Sequence, residues 1–298
     1  MSVRLARVVV PIGLVAVLVT GCIPEGSVHR GGTPAPVALV SASPEPAATA
    51  TPTPASSSIS ASPSPSPDPS SSPDPSAEPT VSPTPSPTPL PVRKPVTVNL
   101  VRHPASAFIT EIRKTWCSPS GTQMVLAFNG KVDLTAATQA AIVRKSKAYW
   151  SYADSHTPGW GPGMMAKVLA AYGVPGYQVR TYRSRAAALL DAAQAVERYR
   201  QPVLLLVWWG AHTWVMTGFK ATADPLVFKD ATVTGTYILD PWYPRISSIW
   251  GPSDPPGTFQ DAAEMVRNYI RWTRPEGRYP GRDGMFVAVV PTRPAPKP

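Results

Sequence analysis

Apolar positions are unevenly spread along the chain. A run from Val8 to Val19 is almost wholly apolar and follows Arg4 and Arg7, whereas from Ile23 to about Lys94 apolar residues are scattered among Pro, Ser, Thr and Ala. Regular periodicity begins near residue 95. Val96 to Val101 alternates as a short strand does, and Met124, Val125 and Phe128 recur at helical spacing within Ser120 to Phe128. Pro119 suits the first turn of that helix, which puts Cys117 at its very start. A second, Ala-rich helix is predicted from Leu134 to about Tyr152, a third over Met164 to Tyr172 and a fourth over Ala186 to Tyr199, with a strand at Tyr177 to Tyr182. Val203 to Trp209 is apolar throughout, as a central strand buried on both faces is. Gly210-Ala211-His212 then turns the chain into a return strand, Thr213 to Phe219. Further strands are predicted at Thr236 to Leu239 and Met285 to Val290, with a helix over Phe259 to Ile270 between them. Four helices largely preceding a mostly antiparallel sheet place the folded part in the α+β class.

The N-terminal run is too short and wrongly flanked for a spanning helix and reads as a signal peptide over residues 1–21. Its end, Val19-Thr20-Gly21-Cys22, resembles the lipobox of bacterial lipoproteins. That resemblance implies acylation of Cys22 and attachment to the membrane through lipid. No other stretch reaches the roughly 18 consecutive apolar residues of a second span, so the expected location is the cell membrane, lipid-anchored on its extracytoplasmic face. Residues 22–94, with repeats such as Ser-Pro-Thr-Pro-Ser-Pro-Thr-Pro, cannot bury enough apolar surface to offset the entropy of ordering and are expected to be a disordered tether. At about 3.1 Å per residue in polyproline II, such a tether reaches on the order of 200 Å. Residues 95–298 are of ordinary single-domain size.

Charge adds one constraint. Five of the 28 basic and five of the 18 acidic residues precede position 95, so the remaining 23 and 13 put the whole formal excess of +10 on the folded part. Scattered solvated charge and attraction to anionic wall polymers or lipid headgroups are both compatible with that excess. No basic helix or aromatic–basic alternation points to nucleic acid. No His-Glu-x-x-His or paired His-Cys spacing points to a metal, and no cofactor is expected. The Gly159 to Gly163 stretch lacks the Lys-Ser/Thr of a P-loop and reads as a tight turn before a helix.

With Cys22 assigned to the anchor, Cys117 is the one remaining thiol, so no disulfide can form within the mature chain. A thiol at a helix N-terminus is favoured as thiolate, the nucleophilic form. It then needs a histidine and a group to orient the ring. His29 and His103 lie in or near the tether, and His156 lies in a polar turn. His212 alone is held by strands on both sides, and Asp240 closes the strand Tyr237-Ile238-Leu239. A small buried hydrophobe, a turn histidine and an Asp-Pro turn are the bland readings of these three residues.

Beyond these separate readings, Trp116-Cys117-Ser118-Pro119-Ser120, Gln123 to Leu126, Met165 to Val174, Pro202 to Val207, Ala211-His212-Thr213-Trp214-Val215 and Leu239-Asp240-Pro241 are together similar to the C39-like branch of papain-like cysteine peptidases. The resemblance covers most of residues 105–250. It implies a papain-like fold, Cys117 as nucleophile, His212 as general base and then acid, and Asp240 orienting the imidazole. It also implies that the Cys117 N–H forms part of an oxyanion hole. That family places a Gln about six residues before the cysteine to complete the hole, and this chain has Glu111 there. An ionised carboxylate would repel an oxyanion, and loss of one donor costs about 10²- to 10³-fold in turnover. A surface-tethered hydrolase of peptide or amide bonds is therefore the first expectation. A weakened module that binds a peptide or cell-wall component is the second, and a transglutaminase-like acyl transferase with the same Cys, His, Asp order is the third.

Overall fold

A seven-stranded antiparallel sheet, covered by helices on both faces, organises the described part of the domain. The computed structural model describes residues 90–155, 161–274 and 277–296. The segment expected as a signal peptide, Cys22, nearly all of the expected tether, His29, His156 and Gly159-Trp160 lie outside them.

The elements in chain order are β1 (Val96–Asn99), α1 (Cys117–Phe128), α2 (Ala136–Lys147), α3 (Pro162–Ala171), β2 (Tyr177–Tyr182), α4 (Arg185–Tyr199), β3 (Val203–Val207), β4 (His212–Ala221), β5 (Val233–Leu239), the short pair β6 (Ile246–Ser247) and β7 (Gly251–Pro252), β8 (Phe259–Asp261), α5 (Ala262–Asn268) and β9 (Phe286–Pro291). The main sheet runs β2-β9-β3-β4-β5-β8. β1 extends it by pairing with the far half of β4, opposite Gly218 to Ala221, while β3 takes the near half, His212 to Met216. Every pairing in the sheet is antiparallel.

β3 shows how the sequence makes this arrangement. All five of its residues are buried because alternate side chains enter different cores: Leu204 and Leu206 join Met124, Val125, Met165 and Leu169 of α1 and α3, whereas Val203, Leu205 and Val207 join α4 and Met265 of α5. At about 1.5–3 kcal/mol per fully buried large aliphatic side chain, this strand is among the strongest anchors of the fold. Gly121 lets α1 lie close on the sheet, since a Cβ there would stand 3.2 Å from Thr213 Cγ2 and 3.3 Å from Leu204 Cδ2. That close approach sets how near the N-terminus of α1 comes to the start of β4.

Several boundaries differ from the sequence expectation. The expected helix over Phe259 to Ile270 begins instead as β8, and α5 starts only at Ala262, where the Asp261 carboxylate caps the N–H groups of Ala263 and Glu264. The second helix ends at Lys147, short of Tyr152. β3 stops at Val207 because Trp208 and Trp209 take left-handed backbone conformations, with φ of 53° and 61°. β2 and α4 interleave with the helices, and α4 covers the face opposite α1 to α3. Among the described residues, no helix is long and apolar enough to cross a membrane.

Candidate active site

Cys117 is the first residue of α1, with Trp116 as an N-cap that makes no side-chain bond to the helix. The helix therefore begins without a side-chain acceptor or an acidic residue, so its partial positive charge falls on the cysteine itself. His212 is the first residue of β4, and Asp240 follows the last residue of β5. β4 and β5 are hydrogen-bonded neighbours with Val215 opposite Leu239, so both side chains emerge at the same end of the sheet. Ser118 and Thr213, the residues after Cys117 and His212, bond hydroxyl to hydroxyl at 3.1 Å, which ties helix and strand together one residue from the site.

All three groups are buried, with Cys117 2% exposed, His212 1% and Asp240 1%. His212 Nε2 lies 2.7 Å from Asp240 Oδ1, and the same oxygen accepts the Trp242 N–H at 2.9 Å. With Nε2 engaged by the carboxylate, Nδ1 is the nitrogen left for the thiol: it is buried and has no hydrogen bond of ordinary geometry within the protein, while Cys117 is near enough to raise the imidazole pKa. Cys117 Sγ also lies 4.0 Å from the Ala211 carbonyl. Burial alone would lower the His212 pKa. The Asp240 charge and hydrogen bond, joined by Cys117, outweigh it and push the imidazole up to about 10.

Aromatic rings fix the imidazole plane. Trp208 stacks on His212 at 4.3 Å and 19°, Trp242 meets it edge-on at 6.4 Å, and Trp250 stacks on the far side of Trp208. Two consecutive left-handed tryptophans cost on the order of 1–2 kcal/mol each. The stacking and a 3.0 Å bond from Trp208 Nε1 to Asn268 Oδ1 offset that strain. Gly210 completes the turn at φ +84°, where a Cβ would run into the Trp272 ring.

Glu111 lies in the same site and is fully buried. Its N–H donates to the Pro241 carbonyl at 2.9 Å, anchoring it next to Asp240. The Gln139 amide bonds Ile112 N and Thr110 O on either side of it, and Gln139 is in turn held by Gln123 of α1. Arg245 donates to the Glu111 carbonyl at 2.7 Å and approaches Oε1 at 3.4 Å, while Oε2 has no hydrogen-bond partner within the protein. Burial, and then the neighbouring Cys117, push the carboxyl up to about 9 against the opposing pull of His212 and Arg245. Burial thus favours the protonated, uncharged form of the Glu111 carboxyl at neutral pH, with the Arg245 guanidinium pulling the other way.

The sequence-selected residues Cys117, His212, Asp240 and Glu111 are thus brought together. His103 is not among them; it sits exposed at the start of a short turn over Pro104–Ala107. Arg245, Trp208, Trp242 and Gln139 were not singled out by sequence reasoning. Trp242 could have been, since it stands two residues beyond Asp240. Arg245 reaches Glu111 across 134 residues with no local signal. Among the described residues, no cluster of His, Cys, Asp and Glu is placed to hold a metal ion.

No protein-family profile matches the chain, and no curated protein does. Among solved structures, the chain is similar to a double glycine motif protease from an AMS/PCAT transporter, crystallised in complex with the leader peptide. The two are 17% identical, with 62% of this chain and 91% of that chain covered and a TM-score of 0.32.

Proposed function

We propose that this chain is a papain-like, C39-like thiol hydrolase that cleaves peptide or amide bonds through an acyl-enzyme on Cys117. The observation that carries the reading is a buried imidazole held by Asp240 at 2.7 Å on one nitrogen, with its second nitrogen unbonded and a helix-terminal thiol near enough to act on its charge. In this reading the resting pair is thiolate and imidazolium. The sulfur forms a bond to the substrate carbonyl carbon, the C–N bond breaks, and His212 gives its proton to the departing amine. His212 then takes a proton from water, whose oxygen attacks the thioester and frees the carboxylic acid.

The Cys117 N–H supplies one oxyanion donor, and the neutral Glu111 carboxyl supplies a second through its O–H. A carboxyl held protonated by burial does what the expected Gln amide would do. This favours an enzyme over a weakened binding module, whose main support was an ionised carboxylate at that position.

A thiol-reactive alkylating probe tests the pair directly. Cys117 is expected to react with an apparent pKa well below the ordinary 8.5 of a free thiol. In His212→Ala the profile should move up toward 8.5. An unshifted profile in the variant would show that no ion pair exists.

The proposed setting is the outer face of the cell membrane, with lipid on Cys22 and the Pro-rich segment as tether. Cys22→Ala should then release the protein from the membrane fraction, since anchoring rests on acyl chains worth about 0.8 kcal/mol per buried methylene. Retention of that variant in the membrane would remove the anchor from the proposal.

A further inference from the structure

The ring stack beside His212 is anchored on α5. Trp208 lies nearly parallel to the imidazole at 4.3 Å and 19°, and Trp250 lies parallel to the other face of Trp208 at 5.5 Å and 3°. Both tryptophans are held by consecutive residues of the helix: Arg267 donates to the Trp250 carbonyl at 2.6 Å, and Asn268 accepts from Trp208 Nε1–H at 3.0 Å. Asn268 is the last residue of α5 and stands 60 residues from Trp208 in the chain.

Hydrogen-bond chemistry leaves the Asn268 amide one orientation. An indole N–H only donates, so its partner is Oδ1, and Nδ2 then donates to the Glu264 carbonyl and to Glu264 Oε2, each at 3.0 Å. A flipped amide would set donor against donor and oxygen against carboxylate. Asn268 is 5% exposed and Trp208 8%, so little water competes for these bonds. The end of the helix is itself fixed. Arg185 of α4 donates to the carbonyls of Val266 and Tyr269 on either side of Asn268, and the Tyr269 hydroxyl donates to the Val287 carbonyl of β9.

The imidazole needs such a support. Rotation about its Cβ–Cγ bond has a broad minimum and swings both nitrogens, and one hydrogen bond from Nε2 does not fix the plane of the ring. A flat indole at 4.3 Å does so only if the indole cannot move. Trp208 has a left-handed backbone, φ 53°, which persists only where the surroundings over-determine it, and the Asn268 bond is the one that fixes the edge of its ring. The negative face of an indole also favours imidazolium over the neutral ring. The titratable groups that act on the ring are Asp240 at the end of β5, Cys117 at the start of α1 and Glu111 before it, and the 208–211 turn adds none. Trp208 and Asn268 are uncharged, so neutral substitutions there alter the setting of the ring without adding or removing a charge.

We propose that Asn268 is a positioning residue for His212: its amide oxygen fixes the Trp208 indole, and the indole holds the imidazole in the plane where Nε2 meets Asp240 and Nδ1 is left for Cys117. The purpose of this support rests on the thiol-hydrolase reading, although the support acts on His212 whether or not Cys117 is a nucleophile.

The test uses the full-length chain and two readouts. One is the His212 ring resonance through a pH titration, assigned by its loss in His212→Ala, and the other is the pH profile of Cys117 alkylation. In Asn268→Leu, which fills the space but accepts no bond, the His212 titration should move to lower pH by about half a unit to one unit, on the scale of a desolvated cation–π contact. The acid limb of the alkylation profile should move up in the same variant. Trp208→Phe, which keeps a flat ring but lacks the N–H, should move both readouts in the same directions. Adding Asn268→Leu to Trp208→Phe should then change neither further, because the two residues act through one bond. A side chain that only supported the fold would lower the melting temperature and leave both readouts in place. An unmoved His212 titration in folded Asn268→Leu, or an equal further shift when it is added to Trp208→Phe, overturns the proposal. Should Asn268→Leu fail to fold, an unmoved titration in Trp208→Phe overturns it instead. An unreactive Cys117 in the parent would remove the hydrolase reading, whereas a His212 titration that still follows Asn268 would uphold the support.

Discussion

Cys117→Ala and His212→Ala should each abolish turnover of a peptide or amide substrate while the domain remains folded, and Asp240→Asn should fall between them and the parent. Removing the sulfur removes the atom that would carry the acyl group. Removing the imidazole removes both the counter-ion of the thiolate and the proton donor to the leaving amine, so each loss should be on the order of 10³-fold or more. Asp240 acts through His212 and should not touch substrate. In Asp240→Asn the neutral amide can still meet Nε2, but it no longer supplies the charge that is a leading cause of the raised imidazole pKa. Turnover should therefore drop, and the alkaline limit set by His212 should move to lower pH. Far-UV circular dichroism and melting temperature check the fold. A Cys117→Ala protein that still turns over substrate would sink the acyl-enzyme reading.

Much of this site was legible because its parts carry local signals. Pro119 in a helical first turn places Cys117 at the start of α1, and strand-forming runs on both sides single out His212. Asp240 stands at a strand end, whereas Glu111 came into view only through the family resemblance, which implies a Gln about six residues before the cysteine. The rest depends on contacts distant in sequence. Arg245 meets Glu111 across 134 residues, and nothing near either residue announces the pair. The strained Trp208-Trp209 turn was hidden because tryptophan is a strand-favouring residue at the end of an apolar run, so the strand was extended through it. The late start of α5 was visible in principle: Asp261 followed three residues later by Glu264 is an N-terminal capping pattern, and it places the first residues of the expected helix outside it. The covering of both sheet faces appears in the sequence only as the unbroken apolar run of β3, which does not say which helices lie on which side.

Glu111 gives the sharpest pH signature. Its carboxyl, pushed up to about 9 from an ordinary 4.5, is protonated in the folded protein through neutral pH and ionises only above it. Activity that depends on its O–H should fall as pH rises through about 9. Glu111→Gln keeps an uncharged donor at the same place, so its turnover at pH 7 should stay within a few-fold of the parent. At pH 10, one unit above the carboxyl's pKa, about one tenth of parent molecules retain the proton, and the variant should exceed the parent by about tenfold. His212, pushed up to about 10, titrates in the same range and is coupled to Glu111 through charge, so the ratio is read together with the Glu111→Leu profile, in which no Glu111 charge acts on the ring. Glu111→Leu removes the donor at every pH and should lose about 10²- to 10³-fold throughout. Stability should follow the same group. Between pH 4.5 and 9 the folded state binds a proton that the unfolded chain releases, so the contribution of Glu111 to stability is greatest below about 4.5 and is lost as pH rises through 9. The melting temperature of Glu111→Gln should therefore decline less than the parent's between pH 7 and 10. Parallel activity and melting profiles in the two proteins would show that Glu111 is already ionised at neutral pH and does not serve as the second oxyanion donor.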